Sequence, residues 1–236
     1  MAWCKQDART REGHKAMTDP GSTIDIVSYR PAPLDDKLNN PMLAEVLELI
    51  GRFSPGGPDK VRTFLSFERK SLVSQYAFAI PTAETLTSVS RYSPLVEVGA
   101  GSGYWAMCLS AIGADIIAYE LIPPVEGPPT SVSGTNWQFR KAWHPLVRGD
   151  ESCAAAHPDR ALFLCWPPPE NPMAARAIEQ YRKAGGSTVI LLGEMKPLSM
   201  GDAALYELMK GLETIERRPI HGWPGMREEI HVVSCR

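Results

Sequence analysis

The amino-acid sequence predicts an α/β fold: a mainly parallel sheet with an antiparallel last strand, preceded by an N-terminal helical cap. Three observations carry this. Short apolar runs alternate with helical stretches from Pro94 onward. A glycine-rich loop joins the first of those runs to a helix. The residues before Pro94 read as helices with one apolar face each.

Residues 1 to about 22 carry no periodic pattern and are expected to form a flexible tail. Residues 23–90 are expected to build the cap, and 91–236 the core. Asn40 is suited to cap a helix over 40–53, with Pro41 in its first turn and Leu43, Val46, Leu47 and Ile50 on one face. The SPGGP run at 54–58 stops it. A second helix is expected over 59–71, with Val61, Phe64, Leu65 and Leu72 buried, and a short third over 82–90.

In the core, strand 95–98 leads through the glycine loop into helix 103–112. Strand 115–119 follows, then a proline-rich irregular stretch at 122–136 and a short strand near 146–148. Strand 161–165 runs into Trp166 and three prolines. A helix opened by Asn171 and Pro172 ends at Gly185–Gly186. Strand 188–192, a helix at 202–211 and closing strands near 213–218 and 229–234 complete the pattern. In such a sheet, ligands bind at the carboxyl ends of the strands.

Composition narrows the function. The 236 residues have a formal net charge of -2, so no overall basic field points to nucleic acid or an anionic membrane. No apolar run reaches the roughly 20 residues of a membrane span. Lys5, Arg9, Arg11 and Lys15 are interrupted by Asp7 and Glu12, which disfavours a targeting presequence. The five cysteines are scattered, with no CxxC and no Cys/His ligand spacing. No disulfide framework and no metal site is expected, and a reducing, cytoplasmic setting fits.

The strongest signal is Glu97-Val98-Gly99-Ala100-Gly101-Ser102-Gly103, set between a strand and a helix. Glycines permit a tight turn and close approach of backbone to a ligand, and the helix start offers free N–H groups. A second acid, Glu120, ends the next strand, 17 residues beyond Gly103, where a carboxylate can accept both hydroxyls of a ribose. A dinucleotide fold wants glycine or alanine at the sixth position of the loop, which here is Tyr104. The pattern of an acid, then G-x-G-x-G, is met in full.

In these residues the chain resembles the class I, Rossmann-like, S-adenosylmethionine (SAM)-dependent methyltransferases. The order VEVGAGSGYW, CWPP and VILLGE is also similar to a group of methyltransferases without defined substrates. The resemblance covers roughly 94–196 and implies SAM as cofactor. By it, Glu97 serves the methionyl amino group, Gly99, Ala100, Gly101 and Gly103 pass under the methionyl–ribose part, and Glu120 holds the ribose. Asp150 meets the adenine amino group, while Cys165 and Trp166 lie near the transferring methyl.

Cys165-Trp166-Pro167-Pro168 departs from the (Asp/Asn/Ser)-Pro-Pro-aromatic motif of amino-methylating enzymes: Trp166 replaces the polar residue and Pro169 the aromatic one. Trp166 either packs beside the sulfonium or against the cap. Tyr76 and Phe78 either close over the pocket or fill the core. With Trp166 and Pro167 they are the candidate substrate contacts. The candidate bases are Glu194, at the end of a strand, and His144; His157 and His221 read as structural. The basic residues of 52–91, Arg69 among them, either form a solvated helical face or meet an anionic substrate. The expected function is methyl transfer to a small molecule, without a membrane partner. The alternatives are a nucleic-acid base methyltransferase and a non-catalytic SAM-binding interaction module.

Overall fold

The computed structural model describes residues 40–125, 136, 138–223 and 226–236. The expected tail at 1–22, the start of the cap and most of the proline-rich stretch at 122–136 lie outside them.

The cap comprises α1 (Pro41–Phe53), α2 (Pro58–Gln75) and α3 (Ala83–Ser90). Asn40 caps α1 by accepting from the Leu43 amide at 3.1 Å. α2 runs one turn further than its apolar spacing predicts, because Leu72, Val73 and Tyr76 are all buried against the core. Thr82 and Thr85 form a reciprocal capping box at the start of α3.

Seven strands form one sheet in the order β3-β2-β1-β4-β5-β7-β6. β1 (Leu95–Val98), β2 (Ile116–Glu120), β3 (Val147–Arg148), β4 (Ala161–Cys165) and β5 (Thr188–Glu194) are parallel. β7 (Glu228–Ser234) is antiparallel to β5 and to β6 (Glu213–Pro219). This is the Rossmann-like sheet the sequence predicts, with its chain reversal at the last two strands. α4 (Tyr104–Ala111), α5 (Met173–Lys183) and α6 (Ala203–Lys210) complete the layers. A short 3-10 helix at Glu151–Ala156, capped by Asp150, was not signalled by the sequence.

Alternation along the central strands divides the core between the two faces of the sheet. Leu95, Phe163, Ile190, Leu192, Ile230 and Val232 pack with the cap and α4. Val96, Leu162, Leu164, Val189, Leu191 and Val233 pack with α5 and α6. Trp105 joins cap to sheet: its indole donates to the Ala79 carbonyl at 3.2 Å and its ring meets Phe163 edge-on. Tyr104 ties α4 to the start of α1, donating to Asn40 Oδ1 at 2.8 Å and accepting from the Met42 amide at 2.9 Å. Among the described residues, no helix is long and apolar enough to cross a membrane.

Candidate functional site

A cleft of about 1010 Å³ opens where β1, β2, β4 and β5 end. The break in strand order between β1 and β4 creates it, since the connections after those strands leave in opposite directions.

All of β1 is buried, so its third residue brings a carboxylate into the interior. Glu97 is 1% exposed, and its Oε2 has no hydrogen-bond partner among the described residues. Burial, and then the nearby Glu120, push its carboxyl up to about 8. The loop that follows folds through three glycines at positive φ: Gly99 at 75°, Gly101 at 60° and Gly103 at 73°. The amides of Gly99 and Ala100 both donate to the Tyr119 carbonyl at 2.9 Å, which fastens the turn to β2. At Gly101 the requirement for glycine is twofold. Its φ is left-handed, and a Cβ there would come within 2.6 Å of the Phe139 ring.

Glu120 closes the opposite side. Its Oε2 accepts from the Gly101 amide at 2.7 Å and its Oε1 from the Ile122 amide at 3.3 Å. Burial raises its carboxyl, partly offset by those amides. Asp150 lies further along the cleft. Its Oδ1 accepts from the amide and hydroxyl of Ser152, at 2.9 and 2.5 Å, and these bonds hold its carboxyl below the usual range.

At the other end stand Cys165 and Trp166. Burial raises the Cys165 thiol well above its ordinary value. Trp166 is held at φ 49° by three contacts. Its amide donates to the Leu192 carbonyl at 2.8 Å, its indole to Glu228 Oε1 at 2.7 Å, and its ring stacks on Phe78 at 6.2 Å. Trp166 packs against the cap through Phe78 and also lines the cleft. The Pro167 and Pro168 carbonyls both accept from the Gly201 amide at 3.1 Å, so the proline run is anchored to the loop before α6.

Tyr76 is buried in a cluster with Tyr104 and Trp143, its hydroxyl bonded to Glu45, yet its side also faces the cleft beside Phe78. Glu194 lines the cleft, accepting from Ser199 Oγ at 2.7 Å and the Arg227 amide at 3.3 Å.

Glu97, Gly99, Ala100, Gly101, Glu120, Asp150, Cys165, Trp166, Tyr76, Phe78, Pro167 and Glu194 thus share one cleft. Two expected residues do not line it. Gly103 turns toward Leu146 and His144, serving the start of α4 instead. His144 packs behind the loop, where a Cβ on Gly103 would lie 3.2 Å from its own, and not beside Glu194. His157 meets the Tyr119 hydroxyl at 2.9 Å, and His221 lies 3.6 Å from Glu84.

Two contributors escaped the sequence reading. Phe139 lies in the irregular stretch. Glu228 falls just before the expected last strand. Arg69, one of the basic residues with two open readings, reaches the cleft and stacks on Trp166 and Trp223. The apolar neighbours of Glu228, set by strand alternation, were the available signal.

No known family profile matches the chain, and no curated protein matches it. Solved structures do show likeness of chain trace. Magnesium protoporphyrin IX methyltransferase from Synechocystis PCC 6803, with bound SAH, is 10% identical; the match covers 64% of this chain and 82% of that one, at a TM-score of 0.41. The glycopeptide N-methyltransferase MtfA, complexed with S-adenosyl-L-homocysteine, is 16% identical over 64% and 87%, at 0.42. A mutant of MtNAS in complex with S-adenosylmethionine is 15% identical over 82% and 71%, at 0.40. The three likenesses are distant, and the architecture rests on this chain's own strand order.

Proposed function

We propose that the chain is a SAM-dependent methyltransferase that acts on a small molecule by in-line methyl transfer. The observation that carries this is Glu97: a buried carboxyl oxygen with no hydrogen-bond partner among the described residues, on the wall of a cleft, beside a loop of three positive-φ glycines. Such a group is costly unless it is protonated or met by a cation. The methionyl ammonium of SAM is a cation of the right kind. The rest of the cleft fits the same molecule. The loop of Gly99, Ala100 and Gly101 lines the cleft with small residues that accept close approach, Glu120 takes the ribose hydroxyls, and Asp150 the adenine amino group. Gly103 contributes by shaping the turn.

SAM supplies a methyl group on a sulfonium that is already a good leaving group. What this chain must add is alignment and exclusion of water. Cys165 and Trp166 flank the methyl end, and Trp166, Pro167, Tyr76 and Phe78 form the acceptor wall. Pro169 stands where amino-methylating enzymes place the aromatic that stacks on a base, and Trp166, in place of their polar acceptor, donates its indole N–H to Glu228. We assign Glu194 the acceptor's proton where one must leave, and give His144 no role in proton transfer.

Methyl-labelled SAM in a single-turnover reaction tests this. Label entering a small-molecule pool supports the proposal. Label entering nucleic acid, with steep salt sensitivity, overturns the substrate class. Bound SAM with no transfer to any pool overturns the enzymatic reading in favour of a binding module.

A further inference from the structure

We infer that Arg69 recognises an oxyanion on the methyl acceptor, a carboxylate or phosphate joined to an apolar body. This rests on the methyltransferase reading above. Arg69 reaches from α2 into the wall of the cleft. Its guanidinium lies 5.7 Å from the Trp166 ring centroid and 5.6 Å from that of Trp223. Among the described residues it makes no hydrogen bond and no ion pair, and its buried Nε has no partner.

A guanidinium carries five N–H donors in a fixed plane, and a half-buried one ordinarily uses them. The two acids nearest in charge, Glu228 and Glu194, offset the desolvation of Arg69. Neither acid accepts a hydrogen bond from Arg69 among the described residues. Glu228 accepts from the Trp166 indole and the Trp223 amide at 2.7 and 2.9 Å, and Glu194 from Ser199 and Arg227. The cation is therefore held by two indoles and two fields, with its donors unused. That fork matches the paired oxygens of a carboxylate or phosphate. Phe78, Trp166 and Met226 line the adjoining wall and favour an apolar or aromatic body.

Position assigns the anion to the acceptor and not to the cofactor. Arg69 lies over Trp166, just after β4, and Trp223, before β7, whereas Glu97 and Glu120 stand on β1 and β2 with the glycine loop between them.

The test follows tryptophan fluorescence of the full chain during titration with benzoate, phenyl phosphate and benzamide, each with and without S-adenosylhomocysteine (SAH). At least one anion should bind about tenfold tighter than benzamide, and the better of the two identifies carboxylate or phosphate. Arg69→Gln should abolish the preference, while Arg69→Lys keeps the charge, loses the fork and retains only part of it. SAH affinity, measured separately by calorimetry, should stay within about twofold in Arg69→Gln. Equal binding of all three probes, or a preference that survives Arg69→Gln, overturns the assignment. So does a loss of SAH affinity of about tenfold in that variant, which would give the cation to the cofactor. Should Arg69→Gln not fold, the lysine variant decides alone. If SAH fails to bind the wild type, the cofactor reading falls, and the titrations without SAH still score Arg69.

Discussion

The indole of Trp166 donates to Glu228 Oε1 at 2.7 Å, so the residue that follows β4 is tied to the residue that opens β7. The other oxygen, Oε2, accepts from the Trp223 amide at 2.9 Å. Glutamine can satisfy only one of these two donors, and alanine neither. Glu228→Gln should therefore lose about 1–3 kcal/mol of stability and Glu228→Ala more, since each orphaned buried donor costs that order. Denaturant midpoints of the three proteins check it. A ranking in which alanine is no worse than glutamine contradicts the shared-acceptor role.

Glu97 gives the chain a pH signature. An acid whose folded pKa is raised from 4.5 to about 8 holds a proton in the folded state that the unfolded chain has released. Stability is therefore lost as pH rises from about 4.5 to about 8. Glu97→Gln removes that contribution, so its melting temperature relative to wild type should climb between pH 5 and pH 8.5. A difference independent of pH would show that Glu97 is ionised throughout.

The same group links pH to binding. A cation placed beside Glu97 favours its ionised form, so SAH binding near pH 7 should release close to one proton and tighten as pH rises toward about 8. Calorimetry in buffers of different ionisation enthalpy reads the proton directly. Glu97→Gln should bind SAH weakly and release none.

How much of this was legible in the sequence follows from what each signal depends on. The strands and the acid–glycine loop are local patterns, and Glu97, Gly101 and Glu120 lie where those patterns require. The contributions of Arg69 and Glu228 are not local. α2 had to dock before an arginine on an apparently solvated face could reach Trp223, which is far along the chain. His144 misled because nearness to a strand end in sequence says nothing about which side of the glycine loop the ring falls on.

Gly101→Ala tests the loop. Left-handed backbone costs a residue with a Cβ about 1–2 kcal/mol, and the new methyl would press on Phe139. SAH affinity should fall by about tenfold or more. Phe139→Ala in the same background should recover part of it by removing the clash. No recovery would locate the damage in the backbone alone.

Tyr104→Phe probes the docking of the cap. It leaves the Met42 amide and Asn40 Oδ1 without the hydroxyl that joins them. The expected loss is about 1–3 kcal/mol, or about 2–4 °C of melting temperature per kcal/mol. A thermal scan unchanged from wild type would mean that the Tyr104 hydroxyl does not help seat α1.

The central claim is the cofactor, and calorimetric titration of the full chain with SAH and with NAD, repeated on Glu120→Ala, tests it most directly. The account predicts that SAH binds, that NAD does not, and that Glu120→Ala weakens SAH by about tenfold, or about 1.4 kcal/mol. Binding of NAD without SAH, or SAH affinity indifferent to Glu120, would contradict it.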